Sequence, residues 1–176
     1  MKKHVFLTGQ PGVGKSTTLR AAIKQYRHRL GGFVTNEIRV NGERVGFEVE
    51  FMSGRKVQLA HCGFESPLRV GKYGIDRHVI DQLLPEAIDR AVVYYNVVVI
   101  DELANMQLVS DAFCAAVTRA FRASKPIIGT VHAAYHPFTF MVKEREGRDV
   151  EVIEVTHDNR DQLARELAEH VRSLVD

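Results

Sequence analysis

The chain has 176 residues, 45% hydrophobic and 26% charged, which suits one domain spanning 1–176 with at most a small insertion. A formal charge of +2 is too small to argue for a nucleic-acid or membrane partner, and the most apolar stretch, AVVYYNVVVI, is interrupted by Asn96 and too short to span a bilayer. No long apolar segment follows the basic start at Lys2 and Lys3, and Cys62 and Cys114 form no CxxC pair, so a cytoplasmic protein with free thiols is expected.

The first element, HVFLTG, is an apolar run of the kind that forms a buried strand. Helical spacing of Leu19, Ile23 and Tyr26 then predicts a helix from Ser16 to about Arg29. Over 32–61 the period changes to alternation, broken by Asn41-Gly42 and Ser53-Gly54, which predicts an antiparallel three-stranded meander. The segment from Gly63 to Gly74 reads as a loop carrying Arg69 and Lys72. Val79, Leu83, Leu84 and Ile88 restore helical spacing, with Pro85 expected to kink the segment or to start a second helix. NVVVIDE reads as a strand covered on both faces. A helix over 110–123, the strand KPIIGTVH, a short helix near 138–145 and the strand DVEVIEVT follow. Asn159 with Gln162 resembles a capping box, and Leu163, Leu167, Val171 and Leu174 form one apolar stripe. Strands alternating with helices predict a three-layer α/β fold: a mainly parallel sheet with helices on both faces, carrying the antiparallel meander as an insertion.

Gly9-Gln10-Pro11-Gly12-Val13-Gly14-Lys15-Ser16, followed by Thr17, fits GxxxxGK[ST] between a strand and a helix. Glycines there let backbone N–H groups curl around a phosphate chain, and the helix adds the positive end of its dipole. Lys15 reaches the β- and γ-phosphates as a point charge, while Ser16 is a ligand for Mg²⁺. Asp101 is read as the second residue of the metal shell, and Glu102 as the base that orients or deprotonates a water. Alternation along the strand is expected to turn these two side chains to opposite sides. Helical spacing from Asp101 to Asn105 would place that pair on one face. Thr130 is either a γ-phosphate sensor or a hydroxyl closing a strand end. Arg69 and Lys72 are either cations for the transition state or solvated loop charges. Arg39, Arg44, Arg55 and Lys56 read as solvated charges on the meander. His132 and His136 have zinc-pair spacing, but no Glu follows His132 and Pro137 disfavours a helix, so no zinc site is read.

The series HVFLTGQPGVGKST, GFVTNEIR with GERVGFEV, RVGKYGI, VVVIDELANMQL, IIGTV and VTHDNRDQL resembles the cancer-related/thermophile nucleoside-triphosphatase family over nearly the whole chain. The resemblance implies a RecA-like P-loop fold and slow, Mg²⁺-dependent hydrolysis of nucleoside triphosphates with broad base tolerance. It also implies that Gly14, Lys15, Ser16 and Thr17 hold phosphate and metal, while Asp101 and Glu102 serve metal and water. Two departures stand out. The family usually has DEIGKMEL, where Asn105 and Gln107 replace a lysine and a glutamate here, and it often has TEE where this chain has Thr35-Asn36-Glu37. A hydrolase acting as a monomer on nucleoside triphosphates is therefore expected. The alternatives are a kinase of nucleotides or nucleic acids, and a nucleotide-binding switch without catalysis.

Overall fold

Val97-Val98-Val99-Ile100 lies in the interior of the sheet because it is apolar on both faces, and all four residues are fully buried. In the computed structural model, residues 1–134 and 136–176 are described, and their strands form one nine-stranded mixed sheet. The strands are β1 (His4–Thr8), β2 (Leu30–Val40), β3 (Glu43–Phe51), β4 (Lys56–His61), β5 (Arg69–Val70), β6 (Tyr73–Ile75), β7 (Val97–Leu103), β8 (Ile127–Val131) and β9 (Val150–Glu154). Their order is β5-β6-β4-β3-β2-β7-β8-β1-β9. From β2 to β9 the neighbours are parallel; from β2 outward to β5 they are antiparallel. The meander is thus no separate layer. Strand β2 belongs to both halves, pairing with β7 through Leu30–Phe33 and with β3 through Phe33–Val40.

Helices α1 (Lys15–Ile23), α2 (Leu84–Tyr94), α3 (Asn105–Leu108), α4 (Asp111–Arg122), α5 (Pro137–Lys143) and α6 (Arg160–Val175) complete the fold. Two apolar cores flank the sheet. Val5 and Leu7 of β1 pack with Leu19 of α1 and Leu167 of α6, whereas Phe6 faces the opposite core with Ile88 of α2 and Phe113 of α4. That alternation follows from the two-residue period of a strand.

Four expectations change in detail. The first helix ends at Ile23 and tightens into a 3-10 turn over Lys24–Arg29, where Arg27 donates to the Phe51 and Met52 carbonyls. The 63–74 loop contains the β5–β6 hairpin, closed by Arg69 donating to the carbonyls of Phe64 and Lys72. No capping box forms at α6: Asn159 has helical backbone angles, and its side chain turns back to Thr156 N–H and Glu154 C=O. The α6 stripe closes on Val175, with Leu174 only partly buried. The segment at Pro85 behaves as expected, a π-helical turn over Val79–Leu83 giving way to α2 with the proline in its first turn.

Candidate active site

Strand β1 ends at Thr8 and α1 begins at Lys15, so the phosphate-loop residues bridge a strand and a helix. Two glycines have specific reasons to be glycine. Gly14 stands at the N-cap with φ 111°, a left-handed backbone that other residues rarely adopt. A Cβ on Gly9 would come within 2.7 Å of the Val155 carbonyl oxygen. Pro11, Gly12, Gly14, Lys15, Ser16 and Thr17 line a cavity of about 580 Å³. Val13 turns away into the core beneath the loop. Lys15 Nζ donates to the carbonyls of Gly9 (3.0 Å) and Gln10 (3.2 Å), which hold the ammonium over its own loop.

Asp101 and Glu102 enter the same cavity from β7. Alternation turns neighbouring side chains apart, yet both residues border this one cavity. The β7–β8 register shifts between Ile100 and Leu103. Asp101 is fully buried and accepts hydrogen bonds from Ser16 Oγ at 2.9 Å, from Thr130 Oγ1 and from Thr35 N–H at 3.4 Å. Burial pushes its carboxyl up; the Thr130 and Ser16 hydroxyls and the Arg20 charge pull it back. Glu102 is pushed up to about 7, chiefly by burial and then by the neighbouring Asp101 charge, with Lys15 opposing. Asn105 also lines the cavity, yet not by helical spacing from Asp101, because β7 continues to Leu103 and α3 starts at Asn105 itself. Gln107 is buried, with no partner for its Oε1 among the described residues.

Of the other candidates, His132 also borders the cavity, whereas Thr130, Arg69 and Lys72 do not line it. Thr130 is fully buried and does not line the cavity; its hydroxyl orients Asp101. Arg69 and Lys72 sit on the β5–β6 hairpin, outside the lining, where Arg69 closes its own turn and Lys72 lies 5.6 Å from the Tyr73 ring centre. His132 and His136 each accept a local backbone N–H, from Ala134 and Phe138, and His136 caps α5.

Two arginines in the wall were not singled out. Arg20 follows Ser16 by four residues on α1, so helical spacing could have found it. It donates to Asn36 Oδ1 and the Thr35 carbonyl, and stands 3.9 Å from Asp101 Oδ2. Arg44, read as a solvated meander charge, is exposed and also borders the cavity. Asn36 donates to Glu48 at 3.4 Å and Glu50 at 3.3 Å. An amide satisfies both acids where a third carboxylate would repel them.

A family model described as NTPase matches residues 4–168. The chain belongs to this NTPase family. The nucleoside-triphosphatase THEP1 of Methanopyrus kandleri is 40% identical over 178 residues, covering 97% of this chain and 96% of that one. The human cancer-related nucleoside-triphosphatase is 35% identical over 187 residues, covering 98% of each. The crystal structure of THEP1 from the hyperthermophile Aquifex aeolicus superposes with a TM-score of 0.82 at 29% identity, covering 98% of this chain and 99% of that one. Family membership therefore extends over the phosphate loop, β7 and the meander together.

Proposed function

We propose that this chain hydrolyses nucleoside triphosphates to diphosphate and phosphate, with Mg²⁺ as cofactor. The observation that carries the reading is one cavity lined by Lys15, Ser16, Asp101 and Glu102, two motifs 85 residues apart joined by the Ser16–Asp101 hydrogen bond. Names of the relatives, nucleoside-triphosphatase in each case, support the same chemistry. Ser16 Oγ and the Asp101 carboxylate are hard oxygen donors brought together at one point, a set that fits Mg²⁺. When bound there, the ion supplies positive charge against the phosphate oxygens.

Loop N–H groups and Lys15 bind the phosphate chain and fix its direction along α1. Thr130 and Arg20 keep the Asp101 carboxylate in place for its metal role. Glu102 orients a water and takes its proton as the oxygen attacks the γ-phosphorus. The corresponding cellular reading is a cytoplasmic monomer of one domain. It is supported by the two free thiols, Cys62 and Cys114.

Phosphate release from ATP, GTP, CTP and UTP should require Mg²⁺, stop with EDTA and return when Mg²⁺ is restored in excess. Phosphate appearing only on an added acceptor would make the protein a kinase. Tight binding without turnover would make it a switch.

A further inference from the structure

Building on the nucleoside-triphosphatase reading, we propose that Arg44 is a further catalytic residue, a cation of this chain's own β2–β3 hairpin that neutralises charge on the transferring phosphoryl group. Strand order sets the stage. β7, with Glu102, lies between β1, whose loop carries Lys15, and β3, which carries Arg44. All three side chains line the one cavity. A triphosphate seated on the loop with its reacting end at Glu102 thus has Lys15 on one side and Arg44 on the other.

Among the described lining residues the arginine and lysine side chains are Lys15, Arg20 and Arg44. Lys15 belongs to the loop, and Arg20 is engaged by Asn36, Thr35 and Asp101 between α1 and β2. Arg44 is held differently. Its Nη1 donates to Glu37 Oε1 at 2.7 Å and its Nε to Tyr73 Oη at 3.0 Å, while the guanidinium lies 5.0 Å from the Phe47 ring centre. These contacts fix the plane of the fork and leave Nη2 without a protein partner among the described residues. The side chain is 42% exposed and borders the cavity. A register shift also falls here: Arg39 faces Arg44 while Ile38 faces Gly46, so Val45 is the extra residue of a bulge beside Arg44. Bulges re-aim the side chains next to them.

In the step served, the water oxygen bonds to the γ-phosphorus and the bond to the β–γ bridging oxygen breaks. Its electron pair passes to the diphosphate, and the water proton passes to Glu102. Charge moves onto oxygens that a preorganised guanidinium can bind in a fork. Arginines in this role raise turnover by about 10³–10⁵ in well-studied phosphohydrolases.

The competing role is a hairpin staple, and an exposed ion pair of that kind contributes little to stability. Arg44→Gln separates the two, since it keeps a stem beside Phe47 and a donor for Tyr73 while removing the charge; Arg44→Ala is its companion. For each variant, unfolding midpoint, Mg²⁺-triphosphate affinity, single-turnover hydrolysis and capture of diphosphate with aluminium fluoride are measured against wild type. Arg44→Gln should bind triphosphate within about threefold of wild type, hydrolyse it at least about a hundredfold more slowly, and fail to capture the fluoride complex. If Arg44→Ala loses its fold, Arg44→Gln decides. Hydrolysis by Arg44→Gln within about threefold of wild type, or an equal loss of affinity and rate, overturns the proposal. Wild-type protein that releases no phosphate from any common triphosphate overturns the hydrolase reading instead, a result separate from either.

Discussion

Asp101 shows at the scale of one residue how a buried carboxylate is tolerated. Ser16, Thr130 and Thr35 each direct a donor at its side chain, and the Arg20 guanidinium stands 3.9 Å away. An acid stripped of water without such partners would be strongly destabilising. Glu102, by contrast, borders the cavity and carries no such set of donors among the described residues, which suits the proton exchange proposed for it. Glu102→Gln keeps the size and removes the charge. We expect Mg²⁺-nucleotide binding near wild type and single-turnover hydrolysis slower by at least ~10², the lower end of what positioned bases contribute. Equal hydrolysis rates would reduce Glu102 to a wall residue, and lost affinity would move it into the metal shell. Residue-scale reading of the sequence picked out Lys15 and Ser16 from the phosphate-loop spacing and Asp101 and Glu102 from the acidic end of an apolar strand, and all four line one cavity. It missed Arg44 because the bulge at Val45 breaks the alternation from which its direction would be inferred. It left Arg69 and Lys72 open between transition-state cations and solvated loop charges because a loop's path is not encoded in periodicity; on the β5–β6 hairpin they stand outside the cavity lining.

Elements were more legible than their ends. Strand β7 and helices α4 and α6 follow from apolar runs and stripes, which report burial directly. The hairpin β5–β6 was invisible because two- and three-residue strands have no period to read. The end of α1 was misjudged because the 3-10 turn after it preserves the apolar spacing, while Arg27 is drawn off to the β3 end by carbonyl acceptors. One cap links two elements. Ser110 Oγ accepts from Phe113 N–H at 3.1 Å, starting α4, and meets Asp81 Oδ1 at 2.7 Å and the Ile80 carbonyl at 3.1 Å on the π-helical turn before α2. Ser110 is almost wholly buried, so water cannot replace the hydroxyl. Ser110→Ala should lower stability by roughly 1–3 kcal/mol, combining a lost cap with unsatisfied buried partners. Urea unfolding checks this: the midpoint should fall with the slope unchanged. An unmoved midpoint would mean that α4 is fixed by its apolar face alone.

Across the whole molecule, the two cores and the chain ends meet at β1, and His4 records that meeting as a pH dependence. Its ring is fully buried, packed edge-on against Phe121 of α4 at 4.9 Å, with Asp149 Oδ2 3.6 Å from Nε2, too long for a hydrogen bond. Burial lowers its pKa from the ordinary 6.5 to about 4; Asp149 opposes this shift, while Lys3 and Arg145 add to it. The unfolded chain therefore takes up a proton on this histidine at higher pH than the folded protein does. Stability from this group is complete above about pH 6.5, falls as pH drops, and levels off below about pH 4. Glu102 runs the other way, because its raised pKa makes the folded protein bind a proton sooner, so a raw stability curve mixes the two. His4→Phe isolates the histidine while keeping a ring against Phe121. At pH 7 the variant should match or exceed wild type, since two unpartnered ring nitrogens are gone. By pH 4.5 wild type should have lost roughly 2–3 kcal/mol relative to the variant. Urea denaturation of both proteins across that range gives the difference directly. A gap that stays constant from pH 7 to pH 4.5 would mean that the His4 site admits a proton as readily as water does, and would remove burial as the cause.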